Sequence, residues 1–258
     1  MQKRQLNRRQ YFYELAATSR KYFIPYIHNF KEIKNGTKVL EVGCGDGGNL
    51  LPFSEMGAEV VGVDSAVGRI KDARSFFKEN GASGTFIASD IFFVENYYRN
   101  FDIIVCHDVI EHVQDKKAFL EKLKMFLKQD GIIFMSFPAW QMPFGGHQQI
   151  CKNKMLSHLP FFHLLPKFIY RGILTINGET HNCIQELLDI KKTKCPIELF
   201  EKSVGNVHLW IRKRTLFFIN PHYEVKFGLK PKLLPSILGR IPYVRDYFTT
   251  SCFYILYA

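Results

Sequence analysis

Apolar runs of strand length alternate with helical patterns between residues 38 and 137, and no other feature of the sequence constrains the fold as strongly. The runs, each bounded by turn-forming residues, are Lys38–Val42, Val60–Val63, Phe101–Cys106 and Ile132–Phe137. Helical periodicity lies between them at Asn49–Met56, Ala66–Asn80 and Asp115–Lys128, the last closed by Asp130-Gly131. Strands that alternate with helices form a parallel sheet covered on both faces, so we predict a doubly wound α/β fold.

A glycine-rich segment, VLEVGCGDGG, contains the end of the first run and the turn after it. Gly43, Gly45 and Gly48 have the G-x-G-x-x-G spacing that binds dinucleotides. Glu41 and Gly47, taken with the first two glycines, also give an E-x-G-x-G-x-G spacing. Such a loop between a strand and a helix predicts a cofactor at the helix N-terminus. The alternative is that the glycines only permit a tight turn.

The charges around this loop indicate which kind of cofactor it holds. Glu41 and Asp46 are acidic, and no Lys or Arg occurs between Val39 and Arg69. Carboxylates oppose a pyrophosphate at a helix N-terminus because both groups are negative. The sequence therefore favours a ligand with cationic groups, such as the sulfonium and amino groups of S-adenosylmethionine, over a nicotinamide dinucleotide.

Asp64 ends the second apolar run, 21 residues after Gly43. A carboxylate at this position can accept hydrogen bonds from both ribose hydroxyls of a nucleotide cofactor. The competing interpretation is that Asp64 caps the helix predicted to begin near Ala66.

Five segments in order, VLEVGCGDGG, VVGVD, FIASDIF, FDIIVCHDVIEHV and LKQDGIIFMSFP, resemble the class I S-adenosylmethionine-dependent methyltransferases. The resemblance covers residues 39–138, and its Ser89-Asp90 and E-H-V pieces are similar to the ubiquinone and menaquinone biosynthesis branch (methyltransferase type 11/23-like). It implies a doubly wound, mostly parallel seven-stranded sheet of the Rossmann-like methyltransferase fold. It also implies S-adenosylmethionine as cofactor and S-adenosylhomocysteine as product. In contrast, PFGGH and LPFFHLLP, at residues 143–147 and 159–166, resemble methyltransferases of cell-surface saccharide pathways.

The resemblance also implies which residues bind the cofactor. Asp90 would contact the adenine amino group, with Ile91 beside the ring, and His107 and Asp108 would line the methionine end. The predicted cofactor-binding set is Glu41, Gly43, Cys44, Gly45, Gly47, Asp64, Ser65, Asp90, Ile91, His107 and Asp108.

His112 is one of two candidate catalytic bases. Methyl transfer from a sulfonium needs mainly positioning in an apolar site, but a hydroxyl acceptor must also lose its proton. Because His112 follows Asp108 by four residues and Glu111 by one, a helical turn would direct all three side chains toward the strand ends. The alternative is that Asp108 caps the turn and His112 packs against the sheet. No metal site is expected, since three side chains on one turn rarely complete a coordination shell.

His147 is the second candidate base. It follows two glycines in the region after the fifth strand, where a lid over the donor methyl group would lie. The alternative is an ordinary loop histidine. With either base, the predicted activity is O-methylation by in-line methyl transfer.

Charge and pattern divide the chain into three parts. Residues 1–38, 39–138 and 139–258 carry formal net charges of +7, −5 and +9. We predict an N-terminal helical arm that covers the cofactor site, a cofactor-binding Rossmann-like core, and an acceptor-side insertion or lid with C-terminal strands that complete the sheet.

The flanking parts also contain local patterns. Residues 5–30 place apolar side chains at helical intervals, and Pro25 should end or kink that helix. After the fifth strand we expect an aromatic, partly helical insertion with a helix near Cys183–Lys192. Strands are expected at Leu216–Ile219 and Cys252–Tyr257.

Composition excludes several other classes of protein. With 47% hydrophobic and 23% charged residues, the chain can build a large core and is not globally disordered. Its six cysteines include no C-x-x-C pair, which fits reduced thiols in a cytoplasm and not a zinc ribbon or a disulfide scaffold. The most apolar stretch, residues 155–176, is broken by prolines and basic residues, so no membrane span is expected.

The basic flanks and dense aromatics favour a small-molecule, saccharide or lipid-linked acceptor, with peripheral contact to the anionic inner face of a membrane. The alternative is that the basic residues only form a solvated surface and that the aromatic residues belong to a lid packed on its own sheet. Nucleic acid is not the expected partner, because Cys106-His107-Asp108-Val109 stands where base-amino methyltransferases carry N/D-P-P-Y/F, and no helix-turn-helix or zinc finger is recognisable.

Two other functions remain as alternatives. One is an NAD(P)-dependent oxidoreductase on a related fold, although no Y-x-x-x-K pair occurs in the sequence. The other is a methyltransferase-like module that binds cofactor without turnover, or a basic adaptor.

Overall fold

The computed structural model describes residues 7–258, and one twisted sheet forms its centre. The strands of this part of the chain are β1 (Lys38–Val42), β2 (Glu59–Asp64), β3 (Thr85–Ala88), β4 (Phe101–His107), β5 (Leu127–Phe137), β6 (Trp210–Ile219), β7 (Lys232–Leu233) and β8 (Ser251–Tyr257). Their order across the sheet is β3-β2-β1-β4-β5-β8-β6-β7. Strands β1 to β5 are parallel, and β8 runs antiparallel between β5 and β6. The predicted doubly wound, mostly parallel sheet is confirmed.

The sheet has eight strands where seven were expected. The additional strand is β7, which contains two residues and pairs with the outer edge of β6. A strand this short carries no periodic signal, so only the tertiary contact reveals it. The two predicted C-terminal strands are confirmed as parts of β6 and β8.

Helices cover both faces of the sheet. The α-helices of the described chain are α1 (Arg8–Thr18), α2 (Ile24–His28), α3 (Leu51–Glu55), α4 (Val67–Glu79), α5 (Lys116–Phe126), α6 (Lys154–His158), α7 (Lys167–Ile176), α8 (His181–Thr193), α9 (Ile197–Asn206), α10 (His222–Phe227) and α11 (Ser236–Gly239). None of the helices within residues 7–258 combines the length and the apolar character that crossing a membrane requires.

Successive strand residues belong to the cores on opposite faces of the sheet. In β1, Val39 packs in a cluster with apolar side chains of α1 to α4, and Leu40 packs in a second cluster with α5 and α9. Ile103 and Ile104 divide in the same way in β4. This arrangement explains why the parallel strands read as continuous apolar runs, since both faces are buried.

The N-terminal helix continues through Pro25, which was predicted to end or kink it. Helix α1 passes into a π-helical turn, Ser19–Phe23, and then into α2, where Pro25 lies in the first turn. The missing proline N–H costs least at the start of a helical segment, and the wide turn precedes that position. The predicted helix began at residue 5, and residues 5 and 6 lie outside the described part of the chain.

Helix α5 is shorter than predicted. It ends at Phe126, and Leu127 already pairs with Phe101 as the first residue of β5. The Asp130-Gly131 pair, predicted to close the helix, therefore lies inside an extended strand. The predicted helix after the fifth strand is confirmed as α8.

Candidate functional site

The loop after β1 makes a sharp turn where β1, β2 and β4 end together at one edge of the sheet. Gly43 has φ +71°, and a Cβ atom there would lie 2.2 Å from Cγ2 of Val109. The N–H of Gly43 donates to the carbonyl of Val63 at 2.8 Å. Strands β2 and β4 lie on opposite sides of β1, so the loop sits where the strand order reverses, the usual position of ligands in such sheets.

Asp64 fixes this loop from the end of β2. Its Oδ2 accepts from the N–H of Gly45 at 2.9 Å, and its Oδ1 accepts from the N–H of Ala66 at 2.8 Å. Helix α4 has Ala66 itself as its N-cap residue, without a side-chain cap. The interpretation of Asp64 as a helix cap is therefore wrong, and each carboxylate oxygen keeps a lone pair for a further donor.

Glu41 lies in β1 directly below the loop and is buried. Its Oε1 accepts from Nδ2 of Asn49 at 2.7 Å, whereas its Oε2 has no hydrogen-bond partner in the part of the chain that the structure describes. Burial, with Asp64 nearby, raises the pKa of Glu41 to about 8. A buried carboxyl with one unpartnered oxygen favours the approach of a cationic donor.

Asp46, the second acid of the loop, is already paired. Nη2 of Arg8, in the first turn of α1, lies 2.7 Å from Oδ1 of Asp46, and Nη1 lies 2.7 Å from Oδ2 of Asp72. The expectation that both loop acids are left for a cationic ligand is thus wrong for Asp46. The neighbouring sequence contained no basic residue, but the fold brings one from 38 positions away.

Helix α1 lies directly on the loop. A Cβ atom at Gly48 would lie 2.4 Å from the carbonyl oxygen of Phe12, so only glycine permits this approach. Oγ of Ser19, in the π-helical turn after α1, donates to the carbonyl of Asn49 at 2.8 Å. Asn49 lies in the 3-10 turn Gly48–Leu50 that follows the loop. These contacts place the N-terminal helix over the end of β1.

A cleft of about 730 Å³ opens beside the loop. This volume lies within the range of small-molecule sites. The residues that line it come from the ends of four parallel strands, from the turns after them and from the first turns of α4 and α5: Val42, Gly43, Val63, Asp64, Ser65, Arg69, Ser89, Asp90, Ile91, Phe92, Asp108, Val109, His112, Val113, Gln114, Asp115 and Phe119.

The predicted site residues divide into two groups around this cleft. Those that line it are Gly43, Asp64, Ser65, Asp90, Ile91, Asp108 and His112. Those that lie behind or beside it are Glu41, Cys44, Gly45, Gly47, His107 and His147. In the second group, the side chain of Cys44 is buried in the core under the loop, so only its backbone faces the turn.

Asp90 and Asp108 enter the cleft from β3 and β4. Oδ1 of Asp90 accepts from the N–H of Phe92 at 3.0 Å and caps the turn Ile91–Phe93. Asp108 has φ +53°, a strained backbone conformation that is common at functional sites. His107 is buried behind it, with Nδ1 3.2 Å from Oγ of Ser136.

His112 is exposed at the cleft and does not pack against the sheet. It ends a 3-10 turn, Ile110–His112, whose N-cap residue is Val109 without a side-chain cap. Nearly half of its side-chain surface is exposed, so the competing interpretation, with Asp108 as cap and His112 in the core, is wrong. Neighbouring protein atoms partly desolvate the ring and so lower the pKa of His112. The ring is therefore neutral at pH 7 and can accept a proton.

The tertiary structure brings His147 to His112 although the sequence separates them by 35 residues. Their rings meet edge to face with centroids 5.1 Å apart. His147 has φ +56°, and burial, with His112 and His163 nearby, lowers its pKa to about 4. The rings of the two predicted bases are therefore in contact.

Glu111 completes this group; its place beside His112 was noted in the sequence, but it was not among the predicted site residues. Its carboxylate is buried, without a hydrogen-bond partner inside residues 7–258, and burial raises its pKa well above the ordinary value. Ligand atoms of Glu111, His112 and His147 lie within 4.8 Å of one another, a distance at which they could hold a divalent cation. The expectation of a site without metal stays a prediction.

A second cleft, of about 400 Å³, opens on the other side of His112. Helix α8 supplies most of its lining, which consists of His112, Asn182, Gln185, Glu186, Asp189, Ile190 and Thr193. Oγ1 of Thr193 donates to the carbonyl of Glu111 at 2.6 Å and so holds the end of α8 against the turn. His112 is the residue shared by the two linings. Apart from their helical spacing, no pattern in the sequence marked these polar side chains as site residues.

Comparison with known proteins points to one family. A family model described as "Methyltransferase domain" matches residues 33–191. A ubiquinone biosynthesis O-methyltransferase of Actinobacillus pleuropneumoniae serotype 5b (strain L20) is 37% identical over 106 residues, which are 39% of this chain and 45% of that protein. The chain thus spans about half the length of the curated relatives it matches.

Two solved structures are similar in fold. The plantazolicin methyltransferase BpumL, in complex with S-adenosylhomocysteine, gives a TM-score of 0.56 at 15% identity over 97% of this chain and 85% of its own. The Haemonchus contortus phosphoethanolamine N-methyltransferase 2, in complex with S-adenosyl-L-methionine, also gives a TM-score of 0.56 at 15% identity. That match covers 91% of this chain and 51% of the other chain. At this identity the likeness concerns the fold alone.

Proposed function

The chain belongs to the methyltransferase domain family, and from this premise we propose that it transfers the methyl group of S-adenosylmethionine to a hydroxyl group of a small-molecule acceptor. The observation that supports the proposal best is the position of His112 between two clefts. One cleft contains the glycine loop and the acids at the strand ends, and the other is lined by side chains that bind hydroxyl groups. Family membership disfavours the NAD(P)-dependent oxidoreductase.

The residues of the larger cleft, together with Glu41 behind it, fit the methyl donor. The unpartnered Oε2 of Glu41 suits the cationic amino group, the free lone pairs of Asp64 suit the ribose hydroxyls, and Asp90 with Ile91 suits the adenine. Asp108, which also lines this cleft, suits the methionine end. When bound, the cofactor supplies a methyl group activated by a sulfonium.

His112 acts as the base in this proposal. As the bond from the acceptor oxygen to the methyl carbon forms, the bond from that carbon to sulfur breaks and the acceptor proton passes to the ring of His112. S-adenosylhomocysteine is then the leaving product. His147 lines neither cleft, so we assign it the role of holding the His112 ring by edge-to-face contact.

The smaller cleft indicates the chemical class of the acceptor. Its amide, hydroxyl and carboxylate groups can form hydrogen bonds with several hydroxyl groups at once, and a saccharide carries several. The carboxylates of Glu186 and Asp189 would repel an anionic group there. We therefore propose a polyhydroxylated acceptor, free or lipid-linked.

A lipid-linked acceptor would agree with the surface near the C-terminus. Leu233, Ile237 and Tyr243 are at least 62% exposed, and Lys230, Lys232 and Arg240 lie among them in the sequence. Exposed apolar side chains beside cations fit the interface of an anionic membrane. We propose that this segment, residues 229–243, makes a peripheral contact with the inner face of a membrane.

Three binding experiments and one transfer experiment test the activity. Calorimetry should show binding of S-adenosylmethionine and S-adenosylhomocysteine but not of NADH, and binding of NADH alone would overturn the proposal. Transfer of a labelled methyl group into hydroxylated compounds of a cell extract should identify the acceptor class. Cofactor binding without any transfer would instead indicate a non-catalytic module.

Replacing His112 tests the base. We expect His112→Ala to lower the transfer rate by about 10² to 10⁴-fold, because no base then takes the proton from the hydroxyl group that is methylated. His147→Ala should lower the rate less, since it only orients the ring. His158→Ala, an exposed histidine of the lid, is the matched control and should leave the rate unchanged. An unchanged rate in His112→Ala would remove the base from the mechanism.

A further inference from the structure

A second group of potential ligands lies in the lid, away from both clefts. Cys151 ends the turn that follows His147, Glu179 lies between α7 and α8, and Cys183 lies in the first turn of α8. One ligand atom from each of the three lies within 4.8 Å of the other two. Three separate segments of the chain therefore converge on one point.

Within residues 7–258, no cationic side chain pairs with the carboxylate at this point. Glu179 is buried, and it forms no ion pair with any Lys, Arg or His of residues 7–258. Its two oxygens accept from the backbone N–H groups of Asn153 and Lys152 at 2.8 and 3.1 Å. These bonds fix the direction of the carboxylate and leave lone pairs on both oxygens, as in the outer hydrogen bonds of metal-ligating carboxylates.

A buried hydroxyl next to the group also lacks a partner. Tyr170, in α7, is fully buried, and its hydroxyl oxygen has no hydrogen-bond partner within the described chain. It belongs to the same apolar cluster as Cys151, and Cys183 packs against that cluster. A buried polar atom without a protein partner indicates a bound water molecule or a bound ion.

We propose that Cys151, Glu179 and Cys183 bind a thiophilic divalent cation of the zinc class. Two thiolates and a carboxylate are ligands that zinc prefers, and a water molecule or the Tyr170 hydroxyl would complete a tetrahedron. With zinc–sulfur bonds of ~2.3 Å, the two sulfur atoms would stand ~3.8 Å apart, so side-chain movements of about 1 Å close the site. The cation would neutralise the buried carboxylate.

The position of the site explains what such an ion would do. Cys151 and Tyr170 belong to a third apolar cluster, separate from the two sheet faces, that is small: Cys151, Leu156, Phe162, Tyr170, Leu174, Leu187 and Leu188. A core of this size stabilises a structure weakly, and a metal ion commonly supplements it. The ion would join the segment after His147 to α8 and hold the lid together.

The test uses the full-length protein stripped with a chelator and titrated with Zn²⁺ and Co²⁺. We expect one ion per chain, an ultraviolet thiolate-to-cobalt charge-transfer band, and release of two protons per ion, because both thiols deprotonate. Binding at Glu111, His112 and His147 would release at most one proton, from Glu111, and would give no thiolate band. That result, or no tight binding, would overturn the proposal, and neither measurement needs a variant or the methyl-transfer activity.

Variants then locate the ion. Cys151→Ser and Cys183→Ser should each weaken zinc binding at least 100-fold, whereas Cys195→Ala, a buried thiol outside the group, and His112→Ala should retain it. Retention of the ion in both serine variants would overturn the proposal. So would a disulfide between Cys151 and Cys183, found by mass spectrometry in protein purified without reductant.

Discussion

At the scale of single residues, Glu41 connects the sequence motif to the chemistry of the site. The E-x-G-x-G-x-G spacing predicts an acid below the loop, but the motif does not say that the acid is buried. Burial raises its pKa to about 8, so the empty site holds a proton there at neutral pH. A cationic ligand at Oε2 must displace this proton, which links cofactor affinity to pH.

We therefore expect the affinity for S-adenosylmethionine to rise with pH. Below the Glu41 pKa of about 8, one proton leaves the protein for each ligand bound, so the association constant should increase about tenfold per pH unit between pH 6 and 7.5 and then level off. Glu41→Gln should remove this slope and weaken binding at pH 8 by at least tenfold. Calorimetry across this range measures both effects.

Asp64→Asn provides the matched control for this experiment. It removes a carboxylate from the same site, so it should weaken binding of the ribose and keep the pH slope, moved to lower pH because the Asp64 charge no longer raises the pKa of Glu41. A wild-type affinity that does not change between pH 6 and 7.5 would contradict the assignment of Glu41 to the cationic amino group.

Sequence reasoning could not predict which charged side chains pair with one another. Asp46 looked free for a cationic ligand, but Arg8 holds it from another element. Glu111 is only one position from a predicted base, yet its burial and its proximity to His147 follow from the packing of the segment after β5. Sequence spacing describes neighbours along the chain and does not describe neighbours in space.

At the scale of elements, the glycine loop is held by close packing against the turn after β4. The Cβ that alanine would add at Gly43 lies 2.2 Å from Cγ2 of Val109, and the backbone there has a positive φ. Two separate costs therefore oppose substitution: the steric contact and the backbone conformation.

We expect Gly43→Ala to lower the free energy of unfolding by roughly 3 kcal/mol and to abolish cofactor binding. Adding Val109→Ala should recover the steric part and leave about 1 kcal/mol of backbone strain. Gly81→Ala is the matched control, because Gly81 has φ +62° with no heavy atom within 4 Å of the added Cβ. Urea unfolding of the four proteins measures these differences, and equal effects at both glycines would contradict the steric contact.

Hydrophobic periodicity predicted that helices and strands exist but not the residues at which they end. The helix at Lys116–Phe126 was predicted to extend to residue 128, but pairing of Leu127 with Phe101 takes those residues into β5. Strand β3 has four residues and no long apolar run, so its place in the sheet depends on pairing with β2. Long-range pairing outweighs local preference in both cases.

At the scale of the whole molecule, the basic flanks predicted a contact with anionic surfaces, and the structure supplies a candidate for it. The segment 229–243 exposes Leu233 and Ile237 together with lysines. Apolar insertion and charge attraction act together in peripheral binding, so salt and apolar substitutions should both weaken it.

We expect the protein to float with vesicles that contain anionic lipid at low salt and to dissociate at high salt. Leu233→Asp with Ile237→Asp should reduce the bound fraction severalfold, because two apolar contacts are lost and negative charge is added. Phe93→Asp changes an even more exposed apolar residue, 80% exposed and outside the segment, and should have no effect. If all variants bind equally, or if salt has no influence, the segment is not the membrane contact.

The sequence by itself determined the alternation of strands and helices, the glycine loop after β1 and the acid at the end of β2. These features depend on periodicity and on spacing within a few residues, which the chain carries locally. Only the tertiary structure decided that Arg8 pairs with Asp46, that His112 meets His147 between two clefts, and that two cysteines 32 positions apart share a buried carboxylate. Such contacts join segments that are distant along the chain, so they exist only when the sheet and its lid have packed.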